Sequence, residues 1–230
     1  LENAFYRDLK PTILLRYLAA AKSIDSRSVN KYSSRMRAIF IKHYTKAFRI
    51  FGAMLNSALE KNGLVPEIKK SDEFIFSQDI ESTMARFIKI HAAAQIIKIN
   101  LSTIKKIKKI ILKLTLLGRT RKEIAEKIMK TGTINTPSEA MRIARTETHS
   151  MSMISQQRIA SASGRVKKKE WMSALDSRVR RKLFNHFIYE IVGINDYFEK
   201  TGGLLEFPGD PGGAAGNVVN CRCVQNFLTT

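Results

Sequence analysis

Residues 84–117 read MARFIKIHAAAQIIKINLSTIKKIKKIILKLTLL. Apolar side chains recur there at Ile90, Ala94, Ile97, Leu101, Ile104, Ile107, Ile111 and Leu114, three or four residues apart. That is the period of one helix face and not the alternation of a strand. Lys98, Lys105, Lys106, Lys108, Lys109 and Lys113 lie largely off this stripe. Gly118 stands where a helix of this length would stop, since a left-handed C′ residue costs glycine little.

Working outward, the same pattern predicts helices over about 4–22, 28–61 and 76–117. The breaks fall at Ser26 to Ser28 and at Asn62-Gly63-Leu64-Val65-Pro66. Two capping-box patterns follow. Thr120 with Glu123 starts a short helix over about 120–130. Thr136-Pro137-Ser138-Glu139 starts another, running through Arg145 to about Ser161. Beyond it the character changes, with Gly202-Gly203, Gly209, Gly212-Gly213 and Gly216 crowded near the end. Val218-Val219 and Val224-Gln225-Asn226-Phe227 read as short strand material on either side of Cys221 and Cys223. The expected fold is α+β and predominantly helical: a basic helical part over 1–118, then a small α+β module over 119–230 with a loop-rich end.

The chain has 230 residues with 40 Lys+Arg against 20 Asp+Glu, a net charge of +20. Residues 1–144 hold 28 of the basic and 12 of the acidic residues, a net of +16. Charge on this scale draws a protein to polyanions. No acidic residue lies between Met84 and Lys122, whereas a merely solvated lysine face ordinarily mixes signs. Lys98, Lys105, Lys106, Lys108, Lys109 and Lys113 are therefore candidates for phosphate contacts that carry no base information. A basic amphipathic helix also suits a membrane surface or an acidic protein. No zinc-finger spacing or aromatic RNA-binding signature supports sequence-specific recognition. No apolar run reaches the ~20 residues needed to cross a bilayer. The first eight residues lack the basic start and apolar centre of a signal peptide.

The most specific signal lies downstream, in an ordered string of short motifs: Arg145-Thr146-Glu147-Thr148, Glu170-Trp171, Asp176-Ser177-Arg178-Val179-Arg180, Phe207-Pro208-Gly209-Asp210-Pro211 and Asn220-Cys221-Arg222-Cys223. This string, over roughly residues 120–228, resembles the Mu F-like phage head morphogenesis family of minor head proteins. The family pattern places a histidine about three residues after the second arginine of Asp-x-Arg-x-Arg, whereas here the nearest is His186. The resemblance implies a structural minor head protein of a tailed phage or prophage. It would be associated with the portal protein inside the virion head, present in several copies, and would contact packaged double-stranded DNA during assembly, packaging or ejection. Capsid or scaffold proteins are further partners on this view, and host cytoplasm is the site of assembly. The family-motif positions here are Arg145, Glu147, Trp171, Asp176, Arg178, Arg180, Pro208, Asp210, Asn220, Cys221 and Cys223.

The residues also carry readings of their own. Trp171 is a core anchor, because a buried indole removes a large apolar area from water. Asp176 suits an N-cap ahead of Arg178 and Arg180. Arg145, Glu147, Asp176, Arg178 and Arg180 read as a buried ion-pair lock or, equally, as a polar catalytic cluster. The Pro208-Gly209 pair marks a turn. Cys221 and Cys223 are open to three readings: two reduced thiols on opposite sides of a strand, a local disulfide, or two thiolates for zinc completed by His149 or His186. Cys-x-Cys falls outside the usual structural zinc spacing, so no cofactor is expected. The alternative to a structural protein is a hydrolase or nuclease-like toxin using Glu147, Asp176 and His186. No nucleophile–base motif or phosphate loop supports it, and no enzymatic activity is expected.

Overall fold

In the computed structural model, residues 1–62, 78–174, 179, 190–199 and 203–229 are described. Four long helices come first: α1 (Glu2–Ser23), α2 (Ser33–Lys61), α3 (Gln78–Leu116) and α4 (Arg121–Ala162), with a 3-10 turn at Ser26–Tyr32 between α1 and α2. Three short strands follow, β1 (Lys168–Met172), β2 (Glu190–Gly193) and β3 (Val224–Leu228), with the single-turn helix α5 (Ala215–Val218) ahead of β3. The strands form one antiparallel sheet in the order β2-β1-β3. The protein is thus a predominantly helical α+β fold.

The chain divides into two compact units. One comprises Leu1–His43 and Thr83–Ala144, and the other comprises Tyr44–Ser82 and Arg145–Thr230. In the first, α1 turns Phe5, Leu9, Ile13, Tyr17 and Ala20 fully inward, a stripe spaced by fours and threes. Phe5 meets Phe40 of α2 edge to face at 5.1 Å and stacks on His43 at 4.7 Å.

The centre of this unit is polar. Arg16 is fully buried, and its Nη2 donates to Thr103 Oγ1 at 2.9 Å and to the Ile99 carbonyl at 3.3 Å. The Tyr17 hydroxyl donates to the buried Glu139 carboxylate at 3.1 Å, and Thr103 Oγ1 reaches the same carboxylate at 3.4 Å. Lys106 Nζ lies 3.7 Å from it. Burial pulls the Arg16 pKa down while the Glu139 charge pushes it back up. Burial, and then the Glu139 charge, push the Tyr17 hydroxyl above its ordinary range. Residues of α1, α3 and α4 are joined by these bonds.

One sequence expectation fails here for a physical reason. The expected helix start at Thr136 does not occur, because α4 runs unbroken through Gly132 and Pro137. A capping box needs Glu139 to reach back to the Thr136 amide, but Glu139 is instead held by Tyr17 and Thr103. The other box does form. The Thr120 amide donates to Glu123 Oε2 at 2.7 Å and the Glu123 amide donates to Thr120 Oγ1 at 3.3 Å, at the start of α4. Gly132, inside α4, is a close-approach position: a Cβ there would sit 2.5 Å from Tyr17 Cβ.

The stripe read on α3 is also only partly the inward one. The buried residues are Met84, Ile88, His91, Ala92, Ile96, Asn100, Thr103 and Ile107, whereas Ile90, Ile97 and Leu101 are 59–64% exposed. The inward face accepts three polar residues because each finds a partner: Thr103 takes Arg16, Asn100 Nδ2 donates to Ser33 Oγ at 2.9 Å, and His91 stacks on Phe87 at 5.4 Å.

Glu139→Ala removes the carboxylate facing a buried guanidinium, so it should lower unfolding stability by roughly 3–5 kcal/mol. Glu123→Ala, at an exposed cap, should cost far less. Paired urea titrations of the two variants check this, and equal midpoints would refute the buried-charge account.

Candidate functional site

The module around the sheet assembles the downstream motifs. Alternation along the central strand β1 puts Lys169 and Trp171 on one face, and both are fully buried. Trp171 packs edge to face on Phe198 at 5.1 Å and belongs to a core cluster with Phe198, Leu205, Cys221 and Cys223. Trp171 is thus the core anchor that its size suggests. Neither cysteine is in a disulfide, and both are buried in that one cluster, with Arg222 exposed between them. They therefore do not sit on opposite sides of a strand, since residues two apart in extended chain point the same way. Hydrogen bonding from the Cys221 thiol, ahead of contributions from Trp171, the Ala174 backbone and Ser173, brings the Cys223 pKa down to about 6 against the opposing effect of burial.

Lys169 carries no signal in the sequence that sets it apart from its neighbours. Its Nζ donates to the Glu206 carbonyl at 2.8 Å and lies 5.4 Å over the Phe198 ring. Burial lowers its pKa to about 8, with Glu206 acting in the opposite direction. Glu206 itself takes a two-pronged bond from Arg158 of α4, at 2.6 and 2.9 Å. The turn after it is fixed by Asp210, whose carboxylate accepts from the Glu206 and Gly212 amides, both at 2.8 Å.

The run that begins at Arg145 in α4 meets these turns. Residues 146, 149 and 150 share a helix face through their three- and four-residue spacing. Thr146 Oγ1 accepts the Asn220 amide at 3.0 Å, Ser150 Oγ donates to the Gly209 carbonyl at 2.6 Å, and the His149 ring lies beside Gly209. Gly209 has φ +78° and a Cβ there would stand 2.8 Å from the ring, so the position needs glycine on both counts. Asn220 takes the left-handed conformation at φ 54° just before Cys221. Pro208 is buried beside Gly209 in the same turn sequence.

Glu147 is buried and accepts the Tyr44 hydroxyl, and burial and that carboxylate push the Tyr44 pKa well above its usual value. Arg145 is exposed. Asp176, Arg178, Arg180 and His186 lie outside the described residues. Val218-Val219 is not strand: Ala215–Val218 is a helical turn, while Val224–Leu228 is the expected strand. Among the described residues no group of three or more His, Cys, Asp or Glu is placed to hold a metal ion.

Among the described residues, the run from Arg145 thus meets the Gly209 and Asn220 turns through Thr146, His149 and Ser150. A family model described as Phage Mu protein F like protein matches residues 105–226. The chain belongs to the Phage Mu protein F like family. The matched stretch includes every motif described above, from Arg145 to Cys223, and membership points to a phage head morphogenesis protein. No curated protein and no solved structure matches the chain. Within the Mu F-like stretch lie five of the six candidate lysines; Lys98 precedes it. Lys98, Lys105, Lys108, Lys109 and Lys113 are exposed, and Lys106 is half-exposed beside Glu139. Among the described residues no helix is long and apolar enough to cross a membrane.

His149 supplies a pH test of the module. Burial brings its pKa from 6.5 to about 4, and Nε2 has no hydrogen-bond partner among the described residues. The unfolded chain therefore binds a proton that the folded module refuses between those two values, and stability falls as pH drops through that window. The thermal midpoint of the parent protein should fall more steeply from pH 6.5 to pH 4 than that of His149→Gln. Parallel profiles would show that His149 is not buried in its neutral form.

Proposed function

We propose that this Mu F-like protein is a structural component of the phage head, docked at the portal, with the lysine-bearing side of α3 against packaged DNA. The observation that supports the DNA contact is five exposed lysines on a stretch that contains no acidic residue from Met84 to Lys122. Ammonium groups arrayed in this way neutralise phosphates and release counterions without reading bases. The module supports a docking role over a chemical one. Thr146, Glu147, Ser150, Asp210 and Asn220 all bond within the fold, which leaves a positioned scaffold. Glu147, the member of the alternative hydrolase set within the described residues, is buried beneath the Tyr44 hydroxyl. Portal docking, several copies per particle and a place in the head interior follow from the family reading.

Co-purification with portal-containing capsids, before and after DNase and high salt, tests both parts. Retention through both treatments is the expected result for a protein-docked component, and complete absence from particles would overturn the proposal. For the DNA contact, replacing Lys98, Lys105, Lys108 and Lys109 by Gln should weaken duplex binding equally for unrelated sequences. It should also flatten the log–log salt slope by up to about 3–4, at roughly 0.9 for each phosphate no longer neutralised. An unchanged slope would remove this face of α3 from DNA.

A further inference from the structure

α3 carries a second apolar stripe on the side opposite its buried one. Ile90, Ile97 and Leu101 are 64%, 59% and 60% exposed, and Ala94 between them is exposed too. Leu112 and Leu116 are exposed further along at 63% and 79%. At 1.5 Å per residue the strip from Ile90 to Leu101 is about 17 Å long, and the exposed Lys105, Lys108 and Lys109 separate it from Leu112 and Leu116. Its four positions are spaced four, three and four apart, the spacing of a seam that receives another helix.

DNA does not account for this strip. A duplex offers phosphates, sugars and base edges, with thymine methyls as its apolar feature in the major groove, so isoleucine and leucine side chains set among phosphate-binding lysines would gain little. One flank of the strip is basic: Lys98, Lys105 and Lys109, at spacings of seven and four, lie along it, and no acidic residue occurs in α3 after Glu81. A second copy of the chain would bring the same lysines against these. A membrane-surface helix buries a broad apolar face, whereas this strip is a narrow line on a helix whose other side already lies in a core.

We propose that the outward stripe of α3 is a docking seam for an acidic amphipathic helix of a partner protein. The partner's apolar residues cover Ile90, Ala94, Ile97 and Leu101, and its carboxylates face Lys98, Lys105 and Lys109. The occupant is fixed by charge complementarity and by the helical spacing of the seam. Docking at the seam does not depend on the DNA contact, although it uses some of the same lysines.

The test uses the full chain and a synthetic helical peptide with Leu at a and d and Glu at e and g. A peptide of identical composition with its leucines scattered off the seam, a duplex DNA and anionic phosphatidylglycerol vesicles serve as comparisons. The seam peptide should bind at least about tenfold more tightly than the scattered one. The double variant Ile97→Gln, Leu101→Gln should lose at least about tenfold in peptide affinity while keeping its thermal midpoint and its DNA binding. The triple variant Lys98→Gln, Lys105→Gln, Lys109→Gln should weaken both the peptide and DNA. Equal binding of the two peptides, or peptide binding untouched by the double variant, would overturn the seam. Vesicle binding lost in the double variant, with no peptide preference, would assign the stripe to a lipid surface instead. DNA binding that fails with the peptide preference intact would reject the DNA reading alone.

Discussion

A guanidinium buried away from water must be matched by a counter-charge and by acceptors, and Arg16 imposes that demand on the helical unit. Thr103 and the Ile99 carbonyl accept from its Nη2, and Glu139 supplies the opposing charge while taking the Tyr17 hydroxyl. Each partner sits on a different helix from Arg16, so satisfying one side chain fixes the rotation of α3 and α4 within the unit. The cost of an unmatched buried ion exceeds the fraction of a kcal/mol at stake in local helix preferences. That inequality explains why α4 ignores a capping pattern at Thr136, and why α3 turns Asn100 and Thr103 inward while leaving Ile97 and Leu101 in water.

The second unit solves its polar problems in a different way. Trp171 and Phe198 supply apolar area, while Lys169 ties the centre of the sheet to the Glu206 carbonyl, and Arg158 holds the Glu206 carboxylate from α4. Thr146 and Ser150 then secure the two turns that carry Asn220 and Gly209. Short motifs far apart in the chain become a single set of mutual restraints. Among the described residues these bonds fix the turns at Gly209 and Asn220 beside a sheet of three short strands, and give Thr146, Ser150 and Asp210 a role in shape.

The two sides of α3 connect architecture to interaction. One side is consumed by the core, and the other presents aliphatic side chains next to lysines, on a helix that has no acidic residue of its own after Glu81. Exposed contiguous apolar surface on a folded domain commonly marks a contact. The proposed docking seam and the proposed DNA face share one helix, so partner docking and DNA binding would compete for the same lysines.

Composition and periodicity were enough to establish a basic, predominantly helical α+β chain, because charge and the three-to-four spacing are local properties. The ordered motifs from Arg145 to Cys223 likewise carried the family, since they survive as short strings whatever their surroundings. The roles of Lys169, Tyr44, Thr146 and Ser150 were not legible: a buried lysine or a hydroxyl donor looks like any other until its partner, tens of residues away, is known. Periodicity also found a genuine stripe on α3 but not which stripe the protein buries, as a helix with apolar residues on two sides has no intrinsic inside. Only tertiary structure decided that, through Arg16 and Ser33, whose hydrogen bonds made the more polar face the better one to remove from water.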